Sequence, residues 1–165
     1  MENNRPVELE LMRPQDIAES VDLVSACMNR DEGQWSKETF DFYFTCLRHG
    51  MDCGRKYYVY KQDGRIVGLV GLHHYVWGPS QNVWLSWFAV SVDRQGNGIG
   101  TSMLEAIQHQ AKQQGYKKLF IETYDGPTFK RARTFYQSRG FKEVGQIYDY
   151  LPGKEAMRVF KKDLE

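Results

Sequence analysis

Hydrophobic and polar residues follow two periodicities in the first half of the chain, and the changes between them predict its elements. Alternation over a short stretch is typical of a strand, whereas apolar side chains three or four positions apart are typical of a helix. The pattern predicts, in order, a strand over 7–13, a helix over 14–28, a helix over 36–50 with Ser36 as its cap and Gly50 at its end, a hairpin over 56–77 that turns at Asp63–Gly64, and a long apolar strand over 82–92.

The second half of the chain returns to helical spacing and then alternates helix with strand. Met103, Leu104, Ile107 and Ala111 predict a helix that ends at Gly115. The remaining predicted elements are a strand over 117–124, a helix over 128–140 and two closing strands over 141–150 and 155–164. Strand, two helices, three strands, helix, strand, helix and two strands together predict an α/β protein with a mixed sheet.

Length and composition narrow the class of protein. The chain has 165 residues, which suits a single domain over 1–165, and its net charge of +1 argues against a general nucleic-acid binder. We expect no membrane segment, because no apolar run approaches ~20 residues, and no secretion signal, because the N-terminus lacks the basic-then-apolar order. Cys27, Cys46 and Cys53 are odd in number and have no zinc-site spacing. We therefore expect a cytoplasmic protein without a bound metal.

Three closely spaced glycines lie between the strand over 82–92 and the following helix: Gly96, Gly98 and Gly100. Free N–H groups at a helix start, with no side chains in the way, let an anion approach the backbone. The alternatives are a flexible connector, a dinucleotide site or a coenzyme A pyrophosphate site. Glu122 lies near the offset of a ribose-binding acid, but Thr101 stands where a dinucleotide motif requires its third glycine. A P-loop is excluded, since no GK[ST] follows.

Two stretches resemble the GNAT superfamily of N-acetyltransferases. In "FAVSVDRQGNGIGTSML", Gln95, Gly98 and Gly100 fill the (Gln/Arg)-x-x-Gly-x-(Gly/Ala) signature that opens a helix after an apolar strand. In "ARTFYQSRGF", the residues that match the family's later helix and turn are Ala132, Tyr136, Gly140 and Phe141. The opening "LMRPQDIAESVDL" also resembles that of the family. The resemblance implies a GNAT-type mixed central sheet of about seven strands flanked by about four helices.

The resemblance also implies acetyl-CoA as co-substrate and direct transfer of its acetyl group to a primary amine. By position in the motif, Phe88, Ala89 and Val90 would hydrogen-bond the pantetheine arm, one of their N–H groups would face the developing oxyanion, and Val92 would continue that contact. The pyrophosphate would be held by Gln95, Gly96, Asn97, Gly98, Ile99, Gly100 and Thr101. Relatives often carry Asn where this chain has Phe129, so the resemblance leaves the adenosine end of the site open.

Tyr136 takes the place of the family's general acid, which protonates the departing thiolate; its alternative role is core packing. Glu122 is the candidate base, with a surface or salt-bridged carboxylate as an equal alternative, because Trp84 stands where some relatives carry the acid. Weaker candidates for the base are Tyr124, His73, His74 and a chain of water molecules. Asp31, Glu32 and Asp125 are acids that would attract a cationic amine.

The acceptor stays open, between an amine-bearing small molecule and a protein. The donor, acetyl or a larger acyl group, also stays open. A homodimer is compatible with the family, although no stretch identifies an interface. A non-catalytic acyl-CoA-binding or sensing module is the alternative function, and the presence of Tyr136 favours the enzyme over it.

Overall fold

A computed structural model describes residues 7–165, which form a seven-stranded sheet with helices on both faces. The strands are β1 (Glu10–Leu11), β2 (Arg55–Gln62), β3 (Arg65–His73), β4 (Asn82–Val90), β5 (Lys118–Tyr124), β6 (Lys142–Ile147) and β7 (Met157–Asp163). The spatial order is β1-β2-β3-β4-β5-β7-β6. The strands pair antiparallel except for β4 and β5, which pair parallel. The predicted mixed α/β sheet and its element order are confirmed.

The helices are α1 (Ile17–Cys27), α2 (Arg30–Arg48), α3 (Ile99–Gln113) and α4 (Lys130–Ser138). Two buried clusters follow from the alternation of side chains across the strands. In one cluster, Leu23, Val24 and Phe40 of α1 and α2 pack against Tyr57 and other residues on one face of the sheet. In the other, Met103 and Ile107 of α3 and Tyr136 of α4 pack against Val70, Leu119 and Phe160 of the opposite face.

The second helix begins six residues before its predicted start, so the expectation of a Ser36 cap was wrong. Asn29 is the cap, and its Oδ1 accepts a hydrogen bond from Glu32 N at 2.9 Å. Ser36 lies inside α2, buried, and donates to the carbonyl of Gly33 at 2.7 Å. A Cβ at Gly33 would lie 1.8 Å from Ser25 Oγ of α1. Close approach of the two helices therefore explains a glycine within α2, and it carries the first turn of α2 towards the sheet.

The parallel ladder between β4 and β5 is short and then opens. Its paired residues are Asn82–Trp84 on β4 and Lys118–Phe120 on β5, and no pairing continues beyond them. On the other side of β4, the pairing with β3 shifts register between Leu69 and Gly71. This bulge includes Trp87, whose φ of 51° is unusual for a bulky residue and costs ~1–2 kcal/mol. The sheet therefore has a gap at its centre, lined by the ends of β4 and β5.

Candidate active site

The glycine turn lies at the start of α3, as predicted. Gly96 and Gly98 have φ values of 83° and 77°, a conformation that favours glycine. A Cβ at either position would meet no protein atom within 4 Å, so the missing side chains leave open space beside the backbone. The N-cap residue of α3 is Gly98, which has no side chain that could accept a hydrogen bond from the first N–H groups of the helix. The turn therefore presents free donors and the positive end of the helix dipole.

An open groove of about 490 Å³ runs from this turn along the end of β4 to α4. The residues on its wall that were predicted from the sequence are Phe88, Ala89, Val90, Gln95, Gly96, Gly98, Gly100, Thr101 and Tyr136. Gln95 is held by two contacts: Nε2 donates to the carbonyl of Val90 at 2.9 Å, and Oε1 accepts from Arg131 at 2.7 Å. Arg139 Nη2 donates to Thr101 Oγ1 at 2.7 Å. Two guanidinium groups therefore lie on the groove wall, where they would face an anion.

Three residues of the predicted set lie away from the groove wall. Val92 is 60% exposed in a short 3₁₀ helix after β4, and Asn97 is an exposed residue of the glycine turn. Ile99 packs against the core cluster beneath α3. Their side chains do not line the groove, so any part they take in binding is through the backbone.

Tyr136 lies between the groove and a second cavity, and it lines both. Only 5% of its surface is exposed, and it packs near Phe88 and Phe141 with ring centroids at 6.2 and 5.9 Å. Burial raises the pKa of its hydroxyl above the ordinary value. Tyr136 therefore keeps its proton at neutral pH, and it belongs both to the core and to the wall of the site.

The second cavity, of about 350 Å³, occupies the gap between β4 and β5 and contains two carboxyl groups. Glu122 reaches it from β5 and Glu32 from the first turn of α2. The side chain of Glu122 is exposed to water in the open cavity. The surrounding protein still removes part of its solvent, and this desolvation raises the pKa of the carboxyl group, while the positive charge of Arg55 opposes the rise. No ion pair of Glu122 with a described residue shorter than 4 Å is found.

Glu32 is the more enclosed of the two acids. It is 4% exposed, and its Oε1 has no hydrogen-bond partner within the described residues. Burial raises its pKa from 4.5 to about 7, and the nearby charge of Glu122 adds to the rise. The charge of Glu122 therefore acts on Glu32, and the two carboxyl groups belong to one cavity.

The sheet beneath this cavity carries a cross-strand row of Arg55, His73 and Trp84. Arg55 pairs with His73 and His73 with Trp84, so the three side chains share one face. Burial lowers the pKa of His73 to about 4, with the charge of Arg55 contributing, so the imidazole is neutral. His74 faces the other way and its Nδ1 lies 2.9 Å from the hydroxyl of Tyr116. Of the two candidate histidines, only His73 lines the cavity.

Sequence reasoning left out two residues that the fold brings to the site. Arg55 belongs to a strand that is far from the glycine motif in sequence, and Arg139 directly precedes the Gly140–Phe141 turn. Glu32 was one of three acids considered for attracting a cationic amine. Recognising Asn29 as the cap of α2 would have placed Glu32 in the first turn of that helix. Arg133, another cation near the groove, donates to the carbonyls of Tyr124 and Gly126 and so has a structural role.

The described residues contain neither a metal-binding cluster nor a membrane-spanning helix. Across residues 7–165, no three His, Cys, Asp or Glu residues gather as they would around a metal ion. In the same range, no helix is long and apolar enough to span a bilayer.

Comparison with known proteins finds a matching family model and several solved structures with a similar fold. A family model described as "Acetyltransferase (GNAT) family" matches residues 21–141. N-acetyltransferase 8 of Rattus norvegicus is 29% identical over 127 residues, which cover 76% of this chain and 52% of that protein. The chain thus spans about half the length of this curated relative.

Two solved structures share the fold almost from end to end. A crystal structure assigned to the GNAT family, from Desulfovibrio desulfuricans, has a TM-score of 0.83 and 21% identity, and the match covers 96% of this chain and 99% of that one. A GNAT family acetyltransferase from Elizabethkingia anophelis with acetyl-CoA bound has a TM-score of 0.69 and 22% identity, with 98% and 100% covered. Together with the family model, which includes the glycine turn and the later Tyr136 helix, these findings show that the chain belongs to the GNAT family of acetyltransferases.

Proposed function

We propose that the chain is an N-acetyltransferase that moves an acetyl group from acetyl-CoA directly to a primary amine of a small molecule or protein. One observation carries the proposal: a groove that begins at a glycine turn with uncapped N–H groups meets a cavity with two carboxyl groups, and Tyr136 lies at their junction. A donor in the groove and an acceptor in the cavity would therefore meet in the gap between β4 and β5.

The residues of the groove fit coenzyme A as the donor's carrier. Its pyrophosphate would lie at the start of α3, where Gly96 and Gly98 leave space and the helix offers unshared N–H groups. Arg131 and Arg139 add positive charge along the same wall. That a relative of the same fold binds acetyl-CoA supports this choice of donor.

Acetyl-CoA supplies a thioester whose carbonyl carbon is open to attack by a nitrogen. The cavity must first remove a proton from the acceptor, because an amine of pKa ~10 is almost entirely protonated at neutral pH. Glu122 would take that proton on its carboxylate, and Glu32 would share the charge of the pair. The β4 bulge interrupts the ladder to β3, so the main-chain N–H groups of Trp87 or Phe88 are candidates to face the developing negative charge.

Tyr136 would give its hydroxyl proton to the sulfur as the carbon–sulfur bond breaks, and the second proton that the nitrogen loses when the amide forms would restore the hydroxyl. Its buried position, at the boundary between groove and cavity, keeps it protonated until a thiolate is formed nearby. General acid catalysis contributes ~10²–10⁴-fold, so removal of the hydroxyl should reduce turnover strongly without abolishing it.

Free-thiol release from acetyl-CoA across a panel of primary amines tests the proposal. We expect turnover on some amine and at least a ten-fold loss of kcat in Tyr136→Phe, the low side of the ~10²-fold expected for an acid catalyst. Tyr148→Phe is the matched control, because Tyr148 is 74% exposed and lies outside both the groove and the cavity. Binding of acetyl-CoA without turnover on any amine would favour an acyl-CoA sensor instead, and failure to bind it would refute the assignment of the groove.

We further propose that this chain works as one domain in a reducing compartment such as the cytoplasm. The proposal rests on the sparse and odd number of cysteines, Cys27, Cys46 and Cys53, which suits a compartment where disulfides do not form.

A further inference from the structure

The cavity that would receive the acceptor has charges of both signs on its wall. Glu32 and Glu122 are acidic, whereas Arg55 lies on the same wall and is permanently positive. A cavity built only for an amine needs no cation, since a positive charge repels an ammonium group. The presence of Arg55 therefore calls for an explanation.

Arg55 is not neutralised by a carboxylate of the protein. None of the ion pairs within residues 7–165 includes it, and its one side-chain hydrogen bond is from Nη1 to the hydroxyl of Tyr57 at 3.2 Å. Tyr57 in turn lies 3.2 Å from Ser86 Oγ, so this contact anchors the guanidinium above the sheet. A guanidinium has five N–H donors in a planar fork that matches a carboxylate. Most of the donors of Arg55 remain available to a ligand.

Arg55 and Glu122 lie on strands at the two ends of the row that forms the sheet side of the cavity. The row Arg55, His73 and Trp84 crosses β2, β3 and β4, and Glu122 follows on β5, so three strand spacings of ~4.8 Å separate the strands that carry Arg55 and Glu122. The charge of Arg55 still influences Glu122, although the two groups form no ion pair. Glu32 adds an enclosed carboxyl oxygen that has no partner among the described residues. A ligand with an ammonium and a carboxylate a few bonds apart would satisfy both sides.

We infer that the acceptor is a free α-amino acid with an apolar side chain, whose carboxylate binds Arg55 and whose ammonium binds between Glu32 and Glu122. This inference rests on the proposed function and names the acceptor class for the same site. The neutral imidazole of His73, between the two ends, adds no competing charge. Trp84, Trp87, Tyr75 and Tyr150 form aromatic parts of the wall, which suit an apolar side chain.

Three acceptors that share one side chain test the inference: phenylalanine, phenylalaninamide and phenethylamine. The amide keeps the α-amine but has no carboxylate, as at the N-terminus of a peptide, and phenethylamine lacks the carboxyl group altogether. We expect wild-type kcat/KM, measured by thiol release from acetyl-CoA, to be at least ten-fold higher for phenylalanine than for either of the others.

Arg55→Gln should remove this preference, so that the ratio of kcat/KM for phenylalanine to that for phenethylamine falls at least ten-fold; any change in the proposed base Glu122 affects both amines and cancels in this ratio. Turnover of phenethylamine also shows that the variant is folded, and the wild-type comparison needs no variant at all. Lys56→Gln is the matched control, since Lys56 is exposed, follows Arg55 directly on β2 and is absent from the cavity wall. It should leave the preference unchanged.

The outcomes separate this inference from the proposed function. Equal turnover of the three acceptors, or a preference that survives Arg55→Gln, overturns the amino-acid inference and leaves the acetyltransferase intact. A preference for phenylalaninamide points to a peptide N-terminus and also overturns it. No turnover on any amine, despite binding of acetyl-CoA, refutes the proposed function and the acceptor class with it.

Discussion

Replacing Glu32 by glutamine should stabilise the protein at high pH and have little effect at low pH. Burial and the charge of Glu122 raise the pKa of Glu32 from 4.5 to about 7 in the folded chain. Between these pH values the folded state keeps a proton that the unfolded state has lost, so stability falls as the pH rises through this window. The Glu32→Gln chain has no ionisable group there and does not show this loss.

The size of the effect follows from the displaced pKa. At ~1.4 kcal/mol for each pH unit, ionised Glu32 costs the folded state up to about 3 kcal/mol above pH 7. Water in the adjoining cavity screens part of this cost, so we expect the substitution to raise the free energy of unfolding by ~1–3 kcal/mol at pH 8.5. At pH 4.5 or below, where Glu32 is protonated in the folded state, the difference should be close to zero.

Urea unfolding of both chains at pH 4.5 and pH 8.5 measures this difference directly. Glu38→Gln is the control, because Glu38 lies on the exposed side of the same helix and its replacement should change stability by less than ~0.5 kcal/mol. An equal effect of Glu32→Gln at both pH values would show that Glu32 is not held in a desolvated site. It would also remove the reason for giving Glu32 a share in proton transfer.

Three other substitutions probe the donor turn, the base and the helix packing. Glu122→Gln should reduce kcat/KM for the amine by ~10²-fold or more at neutral pH, as expected for a general base, with the Kd of coenzyme A, measured by calorimetry, unchanged. Gly98→Ala should cost ~1–2 kcal/mol, seen as a lower midpoint of urea unfolding, since φ is 77° there; its methyl group would also enter the groove and weaken coenzyme A binding at least ten-fold. Gly33→Ala should destabilise the folded protein by ~1–3 kcal/mol, because its Cβ would lie 1.8 Å from Ser25 Oγ. Adding Ser25→Ala to the same chain should recover part of this loss. An unchanged melting temperature in Gly33→Ala would contradict the close packing of α1 and α2.

Local signals were sufficient for the order of elements and for the glycine turn before α3. Alternation, helical spacing and terminal glycines act within a few residues, so the hairpin turn at Asp63–Gly64 and the helix after Gly98 were predictable. The start of α2 at its Asn29 cap was missed because Gly33 disfavours a helix, and only the close contact with Ser25 of α1 explains a glycine there. That error placed Glu32 in a loop and hid its role as a buried carboxyl.

The cavity between β4 and β5 depends on contacts that no local pattern encodes. Arg55 and Glu122 are 67 positions apart in sequence and come together because β2, β3, β4 and β5 are neighbours in the sheet. Trp84 has an alternating strand position like its neighbours, and only the end of the β4–β5 ladder shows that it borders an opening. Sequence patterns give the strands, whereas the place where two strands part depends on the whole sheet.

The short ladder between β4 and β5 has a consequence for the mechanics of the molecule. Asn82–Trp84 and Lys118–Phe120 are the residues through which β1–β4 connect to β5–β7 within the sheet. The two parts of the sheet are therefore joined by a short ladder, and the angle between them determines the width of the gap. A pantetheine arm hydrogen-bonded to the unpaired end of β4 would take the place that β5 leaves empty. Binding should then couple the two parts into a single cooperative unit, with slower amide hydrogen exchange even at residues far from the ligand.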